Sequence, residues 1–302
     1  MMIGVVRTPE VRFENLPGFP YKPNYIENLN GYNQLRMHYV DEGSNGSNKT
    51  YLCLHGQPTW SYLYRKMIPV FLEDNGRVIV PDFFGFGRSD KPVDDEIYTF
   101  DFHRNFLIEF IKRLDLTNIT LVCQDWGGIL GLTLPMEMPE KFSRLILMNT
   151  AIATGDYKIS AGFQAFRDWV NKTPDIEVGR LMKRAVSILT REEAAAYDAP
   201  FPDATYKAGV RRFPNLVATD FDDLGAEIGR QARDWFKNQW NGQAFMAIGM
   251  QDPVLGSPIM KILHKMIPGC SKPMRLREAG HFTQEWGEKI ALSAIDYFKL
   301  GG

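Results

Sequence analysis

Apolar residues in this chain gather in short unbroken runs, with longer amphipathic stretches between them. Residues 51–54, 78–80, 145–148 and 244–248 are such runs, 119–122 is one broken only by Thr120, and Met274-Arg275-Leu276 gives a further short strand signal. Their brevity and lack of alternation predict strands buried on both faces. Residues 34–41 alternate in part and predict one more strand, closed by the Gly- and Asn-rich loop at 43–48. Between these runs, residues 62–72, 100–114, 128–138 and 289–299 read as helices. In the second of these, Phe102, Phe106, Phe110 and Leu114 fall four apart, and the third stops at Pro139. Strand and helix thus alternate, which predicts an α/β fold with a mostly parallel central sheet and helices on both faces. The alternation breaks once. Over residues 154–221 strand runs vanish and polar helical stretches take over, with aromatic residues at Phe163, Phe166, Trp169, Phe213 and Phe221. We read an all-helical cap at 154–221, inserted into a core made of 1–153 and 222–302. Residues 1–34, rich in Pro, Asn, Tyr and Phe, read as an irregular lead-in.

Composition narrows the partners. A chain of 302 residues buries enough surface for a substantial core. Lys plus Arg is 35 and Asp plus Glu is 36, without a basic stripe, so nucleic acid is not expected as a partner. No stretch of 18 apolar residues occurs, so no membrane span is expected. The apolar run at the N-terminus is too short for a signal peptide. Cys53, Cys123 and Cys270 are odd in number and form no C-x-x-C pair, which predicts reduced thiols and a cytoplasmic location.

The candidate chemistry lies where the runs end. Residues 119–122 lead into the turn Cys123-Gln124-Asp125-Trp126-Gly127 and then into a helix. Small-x-acid-x-small between strand and helix is the shape of a nucleophile elbow, with Asp125 where Ser is commoner. The turn is so sharp that bulky residues two before or two after the nucleophile would clash. The following helix N-terminus favours negative charge at Asp125. An Asp before a helix is also a favoured N-cap, so the turn alone leaves both readings open. Two further strand ends separate them. Asp252 follows run 244–248 in Gly249-Met250-Gln251-Asp252-Pro253, and His281 follows the strand signal at 274–276 in Ala279-Gly280-His281-Phe282. Strand carboxyl ends converge in a parallel sheet. His281 would serve as base, with Asp252 holding its tautomer. His38, His55, His103 and His264 lack this context.

Nucleophile, acid, histidine is the chain order of the α/β-hydrolase fold. Over nearly its whole length the sequence resembles a haloalkane dehalogenase of that superfamily. The resemblance is carried by Arg7-Thr8-Pro9, His55-Gly56-Gln57-Pro58-Thr59-Trp60, Asp82-Phe83-Phe84-Gly85-Phe86-Gly87 and Ala199-Pro200-Phe201-Pro202-Asp203. Gln124-Asp125-Trp126-Gly127-Gly128 is its most specific string. It implies hydrolysis of small haloalkanes by an Asp125–His281–Asp252 triad. It also implies backbone oxyanion donors at Gln57 and Trp126, and a halide contact from the Trp126 indole.

Residue chemistry agrees. A carboxylate is ionised near neutral pH and attacks without a base. On an sp3 carbon bearing a leaving group it gives an alkyl ester, which water then cleaves. Halide leaves without a proton and needs only donors and an apolar pocket, and an indole N–H donates without accepting.

The chain departs from the family pattern twice. Relatives often carry Glu where this chain has Gln57, and a second tryptophan where alignment places Phe166. Trp169, three residues on, is the other candidate donor in the cap. The expected partners are a small haloalkane, water and halide ion, with no metal and no organic cofactor, on a monomer.

Three alternatives stay open on sequence alone. An epoxide hydrolase would need cap tyrosines facing the nucleophile, for which Tyr157, Tyr197 and Tyr206 are available. A fluoroacetate-type dehalogenase would need arginines near it, for which Arg211-Arg212 is the nearest match. A non-catalytic receptor of the same fold would bind a small molecule without turning it over.

Overall fold

The computed structural model describes residues 4–301, so Met1, Met2 and Ile3 of the N-terminal apolar run lie outside it. Its strands are β1 (Val5–Val6), β2 (Asn24–Ile26), β3 (Met37–Glu42), β4 (Thr50–Leu54), β5 (Arg77–Pro81), β6 (Lys91–Pro92), β7 (Ile119–Gln124), β8 (Phe142–Met148), β9 (Gln243–Gly249) and β10 (Met274–Leu276). Its helices are α1 (Ile68–Glu73), α2 (Phe100–Arg113), α3 (Trp126–Gly131), α4 (Leu134–Glu137), α5 (Ala161–Lys172), α6 (Val178–Ala185), α7 (Arg191–Ala196), α8 (Ala208–Arg212), α9 (Ala226–Gln239), α10 (Ser257–Met266) and α11 (Gly287–Lys299).

Eight strands form one sheet in the order β10-β9-β8-β7-β4-β5-β3-β2. From β10 to β5 the neighbours are parallel, while β3 is antiparallel to β5 and β2 to β3. Every residue of β4 and of β7 is buried, as expected for central strands covered on both faces. In α2 the four-residue stripe points inward: Phe106 and Phe110 are fully buried, and Phe102 and Leu114 pack at its edge.

Prolines correct two helices of the sequence reading. Residues 62–72 divide into a 3-10 turn at Ser61–Tyr64 and α1, because Pro69 fits a first helical turn but not a helix interior. Residues 128–138 divide into α3, which starts earlier at Trp126, and α4, whose first turn contains Pro135. The lead-in also contributes β2 to the sheet edge, a strand too short to leave a pattern. Helices α9 and α10 left no sequence expectation. The buried face of α9 is Ala226, Gly229, Ala232 and Phe236, mostly small residues that give little apolar signal.

Residues 154–221 carry α5, α6, α7 and α8, with no strand among the described residues. Buried polar contacts hold this segment to the rest. Arg65 forms a two-pronged pair with Glu285, 2.7 Å on each side, and also reaches Glu193 of α7 at 2.9 Å. The Tyr197 hydroxyl bonds to Glu285 as well. The Thr8 hydroxyl donates to the Pro200 carbonyl at 2.7 Å, and Arg12 Nε donates to that of Ala199 at 2.8 Å. No helix among the described residues is long and apolar enough to cross a membrane.

Candidate active site

Asp125 lies between β7 and α3 with φ 50° and ψ −128°, a backbone region that a residue with a side chain adopts only when its surroundings force it. The surroundings are visible. The Asp125 N–H donates to the Asn149 carbonyl at 3.1 Å, and its carbonyl accepts from the Thr150 hydroxyl at 2.7 Å. The small residues act differently from the sequence expectation. Gly127 presses on β4: a Cβ there would lie 1.9 Å from the Leu54 carbonyl oxygen. Gly56 makes room for the carboxylate itself, since its Cβ would lie 2.3 Å from Asp125 Oδ1. The Asp125 side chain makes no N-cap hydrogen bond to α3. Instead Oδ1 accepts the backbone N–H of Gln57 at 2.9 Å, after β4. The Gln57 side-chain amide donates to the Val210 carbonyl of α8 at 3.0 Å.

His281, after β10, faces two carboxylates. Its Nδ1 lies 2.8 Å from Asp252 Oδ2 and its Nε2 lies 3.5 Å from Asp125 Oδ2. Burial alone would lower the imidazole pKa. The Asp252 charge and the contacts with both acids outweigh it and raise it to about 10. The Asp252 carboxylate is buried after β9 and accepts the Val254 N–H and the Asn149 amide, each at 2.8 Å. Burial would raise its pKa, but the His281 charge and these hydrogen bonds hold it below the usual carboxylate value. Three strand ends, of β7, β9 and β10, thus deliver Asp125, Asp252 and His281 to one point.

Sequence reasoning missed Asn149, which follows β8. It is fully buried at φ 24°, and its amide also spans Gly249, accepting from the N–H at 2.8 Å and donating to the carbonyl at 3.1 Å. Its place at a strand carboxyl end was the available signal.

The Asp125 carboxylate opens into a mostly apolar cavity lined by Gln57, Trp126, Ile129, Phe163, Phe166 and Leu263 among others. Trp126 is nearly buried, its ring 4.9 Å from that of Phe213, edge to face. Phe166 lines the cavity. Trp169 does not: it is 37% exposed and borders an adjoining open groove with Gly280 and His281, which Phe166 also lines. Of the three cap tyrosines, only Tyr157 lines the cavity. Tyr197 is fully buried against Tyr62 and Glu285. Arg211 and Arg212 point elsewhere, paired with Asp95 and Glu96, each at 2.8 Å.

Comparison with known proteins follows the same line. Residues 50–288 match the α/β hydrolase fold family. A haloalkane dehalogenase of Psychrobacter cryohalolentis is 40% identical over 299 residues, covering 97% of both chains. One from Mycolicibacterium paratuberculosis is 38% identical over 287 residues, 93% of both. This chain belongs to the haloalkane dehalogenase family. Among solved structures, the haloalkane dehalogenase DpaA from Paraglaciecola agarilytica NO2, described as tetrameric, superposes with a TM-score of 0.94 at 51% identity, covering 96% of this chain and 97% of that one. An amide stands at Gln57 and a phenyl ring at Phe166, and no group of three or more metal-ligating side chains occurs among the described residues.

Proposed function

We propose that this chain hydrolyses small haloalkanes to alcohol and halide through an alkyl ester on Asp125. The observation that carries the reading is the Asp125 carboxylate, presented at a strained elbow to an apolar cavity with His281 and Asp252 behind it. Asp125 attacks the halogen-bearing carbon in line, and the halide leaves towards the Trp126 indole N–H. His281, oriented by Asp252, then takes a proton from water as it attacks the ester carbonyl. The backbone N–H groups of Gln57 and Trp126 receive the oxyanion. The Gln57 N–H already lies 2.9 Å from Asp125 Oδ1. In the cap, Phe166 contributes an apolar wall with a weakly positive ring edge, and the position of Trp169 outside the cavity speaks against it as donor.

Residues 154–221 act as the cap on a core of 1–153 and 222–302. Three free cysteines support a cytoplasmic location. A monomer remains the expectation, against the tetramer described for DpaA. Light scattering of the purified protein decides between them.

The test is product analysis with short bromoalkanes and a terminal epoxide, beside an Asp125→Asn control. Bromide release lost in the control supports the reading. Diol from the epoxide without bromide would replace it with an epoxide hydrolase, and neither product would leave a receptor.

A further inference from the structure

Gln124 is the last residue of β7, one position before the nucleophile, and is fully buried. Its side-chain nitrogen donates to the His281 carbonyl at 3.2 Å, across 157 residues of sequence. Its side-chain oxygen accepts from the Gln284 amide at 3.4 Å. Gln284 is also buried, in the 3-10 turn Thr283–Trp286 that follows the base. A buried amide is costly unless its polar groups are paired. Both groups of Gln124 are paired with the segment that carries His281.

Other contacts hold that segment without reference to the nucleophile. Asp252 fixes Nδ1, and the Thr283 N–H also reaches the His281 carbonyl at 3.1 Å. Gly249 packs so closely that a Cβ there would lie 1.9 Å from the Gly280 carbonyl oxygen. Gln124 differs because its own backbone continues directly into Asp125. It therefore ties the position of the base to the position of the nucleophile.

We infer that Gln124 is a positioning residue that sets the reach of His281 to the Asp125 ester, and so governs ester hydrolysis rather than ester formation. The inference rests on the roles proposed for Asp125 and His281. In formation, a carboxylate oxygen of Asp125 bonds to carbon, and the carbon–halogen bond breaks with its electron pair leaving on the halide. No proton moves, and His281 is not required. In hydrolysis, water oxygen bonds to the ester carbonyl carbon and gives one proton to His281. The acyl–oxygen bond then breaks, the alcohol leaves with that proton returned by His281, and Asp125 releases the second proton to solvent. Only this second step depends on where the imidazole sits relative to Asp125.

Single-turnover rapid quench with 1-bromobutane separates the two steps, with bromide and intact-protein mass read at each time. Gln124→Met keeps the length of the side chain and removes both hydrogen bonds. Bromide formation should stay within about twofold of wild type, while ester decay slows about tenfold and the ester accumulates. Gln284→Met, which removes only the outer link, should slow ester decay by a smaller factor and serves if Gln124→Met does not fold. Equal slowing of both steps, or unchanged ester decay in folded variants, would overturn the inference. Wild type that releases bromide without forming any ester would instead overturn the triad reading beneath it.

Discussion

The environment of His281 changes between the two proposed stages. With Asp125 as a carboxylate, the imidazole is held between two acids and its pKa is raised to about 10. Esterification removes the Asp125 charge and with it one of the causes of the rise, so the pKa must fall when a base is needed. Ester decay in single turnovers should therefore rise with pH through a midpoint clearly below 10, while bromide formation shows no matching rise. A midpoint at or above 10 would mean that Asp125 contributes nothing to the shift. Asn149 works on the other side of the base. Asn149→Ala removes a 2.8 Å hydrogen bond to a buried carboxylate, worth about 1.5–3 kcal/mol. We expect slower ester decay by about tenfold or more, read by the same quench, with Asp252 titrating higher. Asp125, Asp252 and His281 were legible because each follows a strand signal at a strand carboxyl end, in the chain order of a hydrolase triad. Asn149 was not, because an Asn after a strand is commonplace and its role comes from a backbone turn at φ 24°.

At the scale of elements, the sheet was readable because central strands buried on both faces leave unbroken apolar runs. The helices were less so, wherever proline or small residues reset the pattern, as at Pro69, Pro135 and along α9. Nor could the cap aromatics be sorted. Phe166 and Trp169 stand three apart on α5, and only packing against the core puts Phe166 at the cavity wall and keeps Trp169 in the outer groove, which Phe166 also borders. The buried stripe of α2 carries a direct test: Phe106→Ala should cost about 3–5 kcal/mol in chemical denaturation. The buried polar tie from Arg65 and Glu285 to the helical segment 154–221 carries another. Glu285 is buried against Arg65 and Tyr197, so Glu285→Gln leaves a buried guanidinium half-paired. A loss of about 3–5 kcal/mol is expected, and a loss below 1 kcal/mol would show that Glu193 compensates.

Across the whole molecule, the same titrating groups contribute to the pH dependence of stability. The raised pKa of His281 means that its stabilising contribution is complete below the ordinary histidine value of about 6.5 and is lost as pH rises towards about 10. The lowered pKa of Asp252 works in the opposite direction, present above the ordinary Asp value and lost as pH falls through the folded one. Thermal melts of wild type against His281→Gln should therefore differ most below about pH 6.5 and converge towards pH 10. A difference that is constant with pH would contradict the shift.

Mass spectrometry of His281→Gln after exposure to 1-bromobutane tests the proposed covalent ester on Asp125 most directly. We expect one butyl group added per chain, located on the peptide that contains Asp125, with one bromide released per adduct. A variant that releases bromide over many turnovers with no adduct, or an adduct on any other residue, would contradict it.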